Sequence, residues 1–205
     1  MDPVSADRII LFEDLNCPFC YALGRVLRSE GLLHCVQWRG IQHAPAAPVP
    51  WTQPGPALRS ALETEVNTVR RRIPKLAIVQ PYGQPNTEFA TLAVAQAMRT
   101  DEIIGYDLRD AIKEELWRGN RDISNMEMIE RIWSTLNLPP LTLDDELRAD
   151  ARRWQAEWSA MPNRMIPVMR SPSGQWRRGL GDPEDAIRFV QEHTAPELLK
   201  NRRSR

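Results

Sequence analysis

The sequence lacks any excess of charge and any long apolar run. Its 205 residues include 27 Lys or Arg and 27 Asp or Glu, so the formal net charge is zero. Nucleic acids and anionic membranes bind through concentrated positive charge, and this composition indicates neither as an obligatory partner. No stretch of about 18 uninterrupted apolar residues is present, so the sequence predicts no transmembrane helix.

Cysteine is also scarce, and the chain has only three. Three cysteines cannot form the disulfide framework that holds many small secreted domains together. The segment from Met1 to Arg8 contains no apolar core of signal-peptide length. We therefore expect a cytoplasmic protein. In a reducing compartment, a close pair of cysteines is more often catalytic, redox-sensing or metal-binding than structural.

Two of the three cysteines form a Cys-x-x-Cys motif, Cys17-Pro18-Phe19-Cys20. The apolar run Ile9–Phe12 precedes it and a helix-like segment follows it. At a helix start, unpaired backbone N–H groups favour the thiolate form of the first cysteine, and a thiolate is the attacking species in thiol-disulfide exchange. The motif also occurs in zinc sites, but the strand before it and the helix after it favour a redox centre.

Hydrophobic periodicity predicts an α/β protein with its strands at the two ends of the chain. Residues 8–12 are predicted to form a buried strand, residues 17–29 a helix that ends near Gly31, and residues 34–41 a second strand. If the two strands are parallel, the helix must be their crossover. The proline-rich stretch from Ala44 to Pro56 is predicted to be a loop.

The middle of the chain changes character, because five amphipathic helical patterns replace the strands. They cover residues 57–72, 87–99, 106–118, 124–136 and 144–158. Asp144 and the neighbourhood of Asp101 are candidate helix starts, and Ser124 with Glu127 has capping-box spacing. We interpret residues 57–160 as a helical insertion into a domain formed by residues 1–56 and 161–205.

Strand signals return near the end of the chain. Residues 165–169 and 174–178 are predicted strands, and Ser171 to Gly174 provide good turn residues between them. A final helix is predicted from Asp182-Pro183, with Asp as the cap and Pro at the first helical position.

The motif, the helical insertion and Ile166-Pro167 together resemble the DsbA-like branch of the thioredoxin-fold oxidoreductases. The resemblance covers nearly the whole chain, and it is strongest to the cytosolic type with a Cys-Pro-aromatic-Cys-Tyr active site. It implies a mixed sheet flanked by helices, interrupted by an all-helical insertion. It also implies that Cys17 is the nucleophile, Cys20 the resolving thiol, Pro18 and Phe19 the tuning dipeptide, and Pro167 a cis-proline facing the disulfide. A cis bond there would leave the Ile166 backbone free to pair with an extended substrate.

Two acidic residues, Glu13 and Asp14, lie just before the motif. A buried carboxylate at this place can accept the proton that leaves Cys20 during resolution. Asp14 resembles an acidic position of the related cytosolic enzymes, and the alternative is a solvated residue at a strand end. Trp51, in the proline-rich loop, is a candidate to line a substrate groove, or else a hydrophobic plug that holds the loop down.

A metal site is the main alternative for the cysteines. Cys17 and Cys20 could be zinc ligands completed by His34, Cys35 or His43, because that set contains enough sulfur and imidazole for a tetrahedral site. His34 and Cys35 are adjacent on the predicted strand and would therefore face opposite ways. We expect no metal. We interpret Cys35 as a small buried hydrophobe and the two histidines as strand-end or loop residues.

Three functions remain open. The first is a thiol:disulfide oxidoreductase that acts on protein or small-molecule disulfides or thiols and has no cofactor, except that glutathione is a candidate co-substrate. The second is a glutathione-dependent isomerase or transferase of the kappa or hydroxychromene-carboxylate isomerase type. Those proteins resemble this architecture but commonly carry a single Ser or Cys at the position of Cys17. The third is a non-enzymatic peptide-binding or zinc-stabilised module.

Overall fold

Two parallel strands and the helix between them form the first half of the sheet. The computed structural model describes residues 7–200, and in it β1 spans Ile9–Glu13, α1 Pro18–Ser29 and β2 Val36–Gly40. Ile9 lies opposite Val36 and Glu13 opposite Gly40, in parallel register. Helix α1 is thus the crossover that parallel neighbours require. The expectation of a cytoplasmic protein was based on Met1–Arg8, which has no apolar core of signal-peptide length. Most of that segment lies outside the described residues.

Helix α1 ends where the sequence predicts it to end. Gly31 has φ +65°, a conformation that side chains with a Cβ rarely adopt. The turn lets the Leu32 N–H donate to the Leu27 carbonyl at 2.8 Å, which satisfies one of the carbonyls left open at the end of the helix. The chain then turns back to begin β2.

Helices fill the middle of the chain. Between β2 and β3 lie α2 (Pro56–Arg72), α3 (Glu88–Thr100), α4 (Glu102–Trp117), α5 (Met126–Ser134) and α6 (Asp145–Ser159). All five predicted helical patterns correspond to helices. Helix α4 contacts α1, and both α3 and α6 contact β2, so these helices pack directly on the sheet half of the molecule. The division into domains at residues 57 and 160 stays a prediction.

A hairpin and two helices complete the described part of the chain. β3 spans Val168–Arg170, β4 Trp176–Arg178, α7 Pro183–His193 and α8 Pro196–Lys200. The sheet order is β2-β1-β3-β4, with β3 antiparallel to both β1 and β4. The hairpin turn contains Gly174 at φ +84°. Asp182 caps α7, since its side chain accepts from the Glu184 N–H at 2.9 Å.

The largest apolar core lies between the sheet and its helices. Leu11 of β1 and Leu23 and Leu27 of α1 are fully buried there, each contributing about 1.5–3 kcal/mol relative to an exposed position. Charged side chains of α4 are buried beneath α1. Arg109 is fully buried and donates to Asp110 Oδ1 at 2.7 Å. Gly24 of α1 leaves room for it, because a Cβ there would lie 3.2 Å from Arg109 Nη2.

Three local predictions were wrong or incomplete. His34 and Cys35 belong to a short 3-10 turn, Leu33–Cys35, rather than to the second strand, and Cys35 Sγ lies 3.4 Å from His34 Nε2. The cap of α5 is Asn125 instead of Ser124, whose hydroxyl donates to Asp122. Helix α8 has no counterpart among the predicted elements. Within residues 7–200, no helix is both long and apolar enough to span a bilayer.

Candidate active site

The two cysteines of the motif lie at the start of α1. Cys17 is the N-cap residue, with extended backbone, and Pro18 occupies the first helical position. The Cys17 carbonyl accepts from the Tyr21 N–H at 3.0 Å, which is the first bond of the helix. No acidic residue occupies the first turn. The Cys17 sulfur therefore lies where the positive end of the helix dipole favours an anion.

The two thiols are close together and are not joined in a disulfide. Cys17 exposes 4% of its surface and Cys20 none. They lie in a small apolar cluster separate from the main core, formed with Phe12, Ile41, Trp158, Ile166 and Val168. Phe19, the other predicted tuning residue besides Pro18, is half-buried and packs against this cluster.

Burial raises the pKa of the Cys20 thiol. Loss of solvent, the hydrogen bond to Cys17 and the nearby charges of Cys17 and Glu13 all raise the pKa of Cys20 well above its ordinary value. The Lys113 ammonium opposes them. Cys20 therefore stays a thiol near neutral pH unless a group nearby accepts its proton.

Glu13 is the carboxylate that interacts electrostatically with Cys20. It ends β1 and is fully buried. Its Oε1 atom accepts from Trp38 Nε1 at 2.7 Å and from Lys113 Nζ at 2.7 Å, and it lies 3.4 Å from Arg109 Nη1. Its Oε2 atom is buried without a hydrogen-bond partner among the described residues. One side of this carboxylate is neutralised by cations, while the other keeps an open acceptor.

Lys113 joins this group from the middle of α4. Its ammonium also donates to the Cys20 carbonyl at 3.3 Å, and its side chain is 1% exposed. A buried lysine needs such a paired anion, because an isolated charge in an apolar interior is very costly. Sequence reasoning missed Lys113, which lies 93 residues beyond Cys20 and has no local motif around it.

Asp14 is occupied by other partners. It is 1% exposed, and its Oδ1 atom accepts from the Thr87 hydroxyl at 2.8 Å and the Asn16 N–H at 3.3 Å. Its Oδ2 atom lies 2.8 Å from both the backbone N and the ring Nδ1 of His43. Its acceptor positions are therefore in use, whereas Glu13, which acts electrostatically on Cys20, has a buried oxygen without a hydrogen-bond partner among the described residues.

His43, which follows β2, faces the same end of the sheet. Burial of its ring opposes protonation, but the hydrogen bond to Asp14 and the charges of Asp14, Cys17 and Glu65 outweigh it and raise the pKa of His43 from 6.5 to about 9. The ring is therefore an imidazolium near neutral pH. Sequence reasoning interpreted it as an ordinary loop residue, because loops have no periodicity that indicates which way a side chain points.

Ile166 and Pro167 approach the cysteines from the segment before β3. Their peptide bond is cis, both residues are buried, and Ile166 belongs to the cysteine cluster. The Pro167 carbonyl accepts from the Gly179 N–H at 2.8 Å. Across residues 7–200, neither the N–H nor the carbonyl of Ile166 forms a hydrogen bond with another described group.

Trp51 lies in the loop before α2 and packs against the main apolar core. Its backbone N–H donates to Asp122 Oδ2 at 2.8 Å, and its ring meets that of Tyr82 with centroids 6.0 Å apart. Gly83 lies against Trp51 and Thr52. A Cβ added at Gly83 would lie 2.6 Å from the Thr52 carbonyl oxygen and 3.4 Å from Trp51 Cβ. Next along the chain, Gln84 Nε2 lies 3.2 Å from His43 Nε2. The loops that contain His43 and Trp51 are thus held against residues 82–84.

The zinc alternative requires Cys17 and Cys20 to share a ligand group with His34, Cys35 or His43. Within the described ranges, no three His, Cys, Asp or Glu residues come together in an arrangement that could hold a metal ion. His34 is engaged elsewhere, with its Nε2 atom 2.8 Å from the Leu198 carbonyl.

Comparison with solved structures identifies the fold. A probable DsbA oxidoreductase from Streptomyces coelicolor superposes with a TM-score of 0.67 at 16% identity, over 91% of this chain and 89% of the other. The chain has the DsbA-like fold. This confirms the predicted thioredoxin-like α/β fold with a helical insertion and, at the level of fold, the resemblance to that family.

Other solved structures match the DsbA-like fold of this chain with similar TM-scores. A 2-hydroxychromene-2-carboxylate isomerase has a TM-score of 0.66 at 10% identity, over 90% of this chain and 92% of the other. The cytosolic disulfide reductase DsbM from Pseudomonas aeruginosa, also solved with GSH, has a TM-score of 0.60 at 15% identity, over 90% and 97%. No known family profile and no curated protein matches the sequence.

Proposed function

We propose that this protein is a thiol:disulfide oxidoreductase in which Cys17 attacks and Cys20 resolves. The observation that carries the proposal is the pairing of two adjacent thiols at the start of α1 with a buried carboxylate oxygen, Glu13 Oε2, that has no partner among the described residues. This arrangement suits a reaction in which one thiol reacts as an anion and the other must lose a proton.

In the first step, the Cys17 thiolate attacks one sulfur of a substrate disulfide. A bond forms between Cys17 Sγ and that sulfur, the substrate S–S bond breaks, and the other substrate sulfur leaves as a thiolate. Cys17 at the N-cap of α1 supports this role, because the helix terminus stabilises an anionic nucleophile.

In the second step, Cys20 resolves the mixed disulfide. Its thiol passes a proton to Glu13 Oε2, and the resulting thiolate attacks Cys17 Sγ and expels the second substrate thiolate. The substrate gains two electrons and the protein loses two, as a Cys17–Cys20 disulfide. The raised pKa of Cys20 makes an acceptor necessary at neutral pH, and Lys113 and Trp38 orient the carboxylate through its other oxygen.

Return to the dithiol needs a thiol reductant, which would run the same steps in reverse. Glutathione is the simplest candidate, since a DsbA-like disulfide reductase has been solved with it. The substrate would be a disulfide- or thiol-containing protein or small molecule. We place the reaction in the cytoplasm, where cysteines are kept reduced.

The substrate would lie against Ile166 and Pro167. An extended peptide can add to a free backbone edge, and the N–H and carbonyl of Ile166 provide such an edge beside the cysteine cluster. Trp51, in the loop that follows His43, would line a further part of this groove. Pro18 and Phe19 would set the redox potential of the couple through the geometry of the turn.

A glutathione-dependent isomerase is the second candidate. It is favoured by the TM-score of 0.66 to the hydroxychromene-carboxylate isomerase, which is close to that of the oxidoreductase from Streptomyces. The two functions differ in their need for Cys20. A glutathione-dependent isomerase activity that survives Cys20→Ser but is lost in Cys17→Ser would support the isomerase and contradict the oxidoreductase.

The deciding experiment is a redox titration of the purified protein in glutathione buffers. Free thiols are alkylated and counted by mass spectrometry, with Cys17→Ser as the control. We expect a reversible Cys17–Cys20 disulfide with a midpoint between about −270 and −120 mV, the range of thioredoxin-like catalysts. A pair that never oxidises would overturn the proposal.

A further inference from the structure

A second ion pair lies next to the thiol pair, and the exchange reaction described above does not use it. It consists of Asp14, three residues before Cys17, and His43, three residues after the end of β2. Asp14 is linked to the motif itself, because its carbonyl accepts from the Cys17 N–H at 3.3 Å. The pair therefore lies at the same end of the sheet as the reactive sulfur.

The contacts fix the orientation of His43. Asp14 Oδ2 accepts from the His43 backbone and lies 2.8 Å from ring Nδ1, while Thr87 and Asn16 hold the other oxygen of Asp14 in place. These contacts leave the imidazole one orientation, with Nδ1 towards Asp14. Gln84 contacts the opposite ring nitrogen, and an amide turned by 180° presents its oxygen to a protonated Nε2.

We propose that His43, oriented by Asp14, is the cation that stabilises the Cys17 thiolate and so makes the first cysteine both reactive and a good leaving group. This inference rests on the proposed oxidoreductase function. Asp14 is the positioning residue in this arrangement. Its buried charge needs a cation, and the imidazolium that satisfies it also interacts electrostatically with Cys17, whose backbone N–H is bonded to Asp14.

Charges from every neighbouring element agree with a protonated ring. Asp14 faces His43 from the turn after β1, Cys17 from the start of α1 and Glu65 from α2, and each favours the imidazolium. Burial lowers the pKa of His43, and the hydrogen bond and charge of Asp14 do most to raise it to about 9. The side chain is 29% exposed, so solvent and salt screen these interactions in part.

The chemical consequence concerns the balance between the two redox forms. A cation beside Cys17 stabilises the dithiol form, in which this sulfur carries a negative charge, and has no such effect on the disulfide. Stabilising the reduced form makes a couple more oxidising. Removing His43 should therefore make the protein a weaker oxidant and should make Cys17 less reactive at low pH.

The test uses His43→Gln, which keeps a polar side chain and removes the charge. The rate of Cys17 alkylation by iodoacetamide is measured from pH 4 to 10, and the equilibrium with glutathione is measured for the same samples. We expect the alkylation midpoint to move to higher pH, alkylation at pH 6 to slow about tenfold, and the equilibrium constant to move about tenfold towards disulfide, or about 30 mV.

Three further variants make the result specific. Asp14→Asn should move both quantities in the same direction, since it releases the ring and lowers the pKa of His43. His43→Lys should restore part of the effect, because it returns a cation without the imidazole. His34→Gln, a histidine that contacts the Leu198 carbonyl instead, should match the parent protein.

The outcomes separate this inference from the proposed function. A parent protein that forms no Cys17–Cys20 disulfide would overturn the oxidoreductase proposal itself. A parent that cycles normally, together with a His43→Gln variant that has an unchanged pH profile and potential, would overturn only the role of His43. A folded His43→Gln variant is verified by its far-ultraviolet circular dichroism.

Discussion

Lys113 Nζ lies 2.7 Å from Glu13 Oε1, although the two residues are 100 positions apart in the chain. The contact joins the end of β1 to the middle of α4. A residue of the predicted helical insertion therefore holds the carboxylate that we propose as the proton acceptor for Cys20.

Glu13→Gln should slow the resolution of the mixed disulfide. The amide cannot take the proton of Cys20, and loss of a positioned general base typically costs on the order of 100-fold or more. The mixed disulfide with a small thiol should accumulate, which stopped-flow acid quenching and mass spectrometry will detect. Glu13→Asp should retain part of the rate, and Glu63→Gln, an exposed glutamate on α2, should retain all of it. Equal resolution rates in all variants would contradict the role of Glu13.

Lys113→Met should destabilise the fold. It leaves Glu13 buried without its closest cation, and breaking a buried pair in this way costs about 3–5 kcal/mol. Urea denaturation gives the free energy of unfolding, and Lys75→Met, at an exposed position, is the matched control. A Lys113→Met protein as stable as that control would show that Arg109, 3.4 Å from the same oxygen, is sufficient.

The pH dependence of stability should carry the signature of His43. Its pKa in the folded protein is about 9, above the unfolded value of 6.5, so the folded state binds the proton more tightly. The resulting stabilisation is fully present below about pH 6.5 and is lost as the pH rises through about 9. We expect the difference in unfolding free energy between the parent and His43→Gln to shrink from pH 6 to pH 9.5. A constant difference would show that the ring contributes through packing alone.

Gly105→Ala should destabilise the crossing of α3 and α4. A Cβ at this position would lie 2.7 Å from the backbone N and Cα of Met98, and two helix backbones cannot separate without disturbing both. Overpacking of this kind destabilises a protein by about 1–3 kcal/mol. This loss exceeds the stabilisation expected from the higher helix propensity of alanine. Gly55→Ala is the control, since nothing lies within 4 Å of its added Cβ. Thermal denaturation will measure both.

Local signals made much of the fold predictable. β1, the Cys-x-x-Cys motif and α1 are adjacent in sequence. The spacing of apolar residues predicted the strand and the helix, and Gly31 predicted the end of the helix. The helices α2 to α6 were found in the same way, since each buries one face. The predicted ends of helices were less certain where two residues that favour the N-cap position are adjacent in the sequence. Ser124 and Asn125 both prefer cap positions, and the hydroxyl of Ser124 is taken by Asp122.

The site was only partly predictable. Its cysteines are identified by spacing alone, whereas His43 and Asp14 are 29 residues apart and meet only because β1 and β2 end at the same edge of the sheet. Parallel register decides that meeting, and no local pattern gives it. The choice between Glu13 and Asp14 likewise depends on which partners reach each carboxylate, and these come from α4, from β2 and from the segment before α3.

If Cys17 is the nucleophile that we propose, its small exposed surface, 4% of the residue, would also select substrates by size. A thiol on so buried a residue would react at rates set by the cross-section of the reagent as much as by its intrinsic reactivity. Compact disulfides and slender, unfolded peptide segments would reach it more readily than a disulfide fixed in the surface of a folded protein. The proposed reaction would then be confined to small disulfides and to chains that have not yet folded.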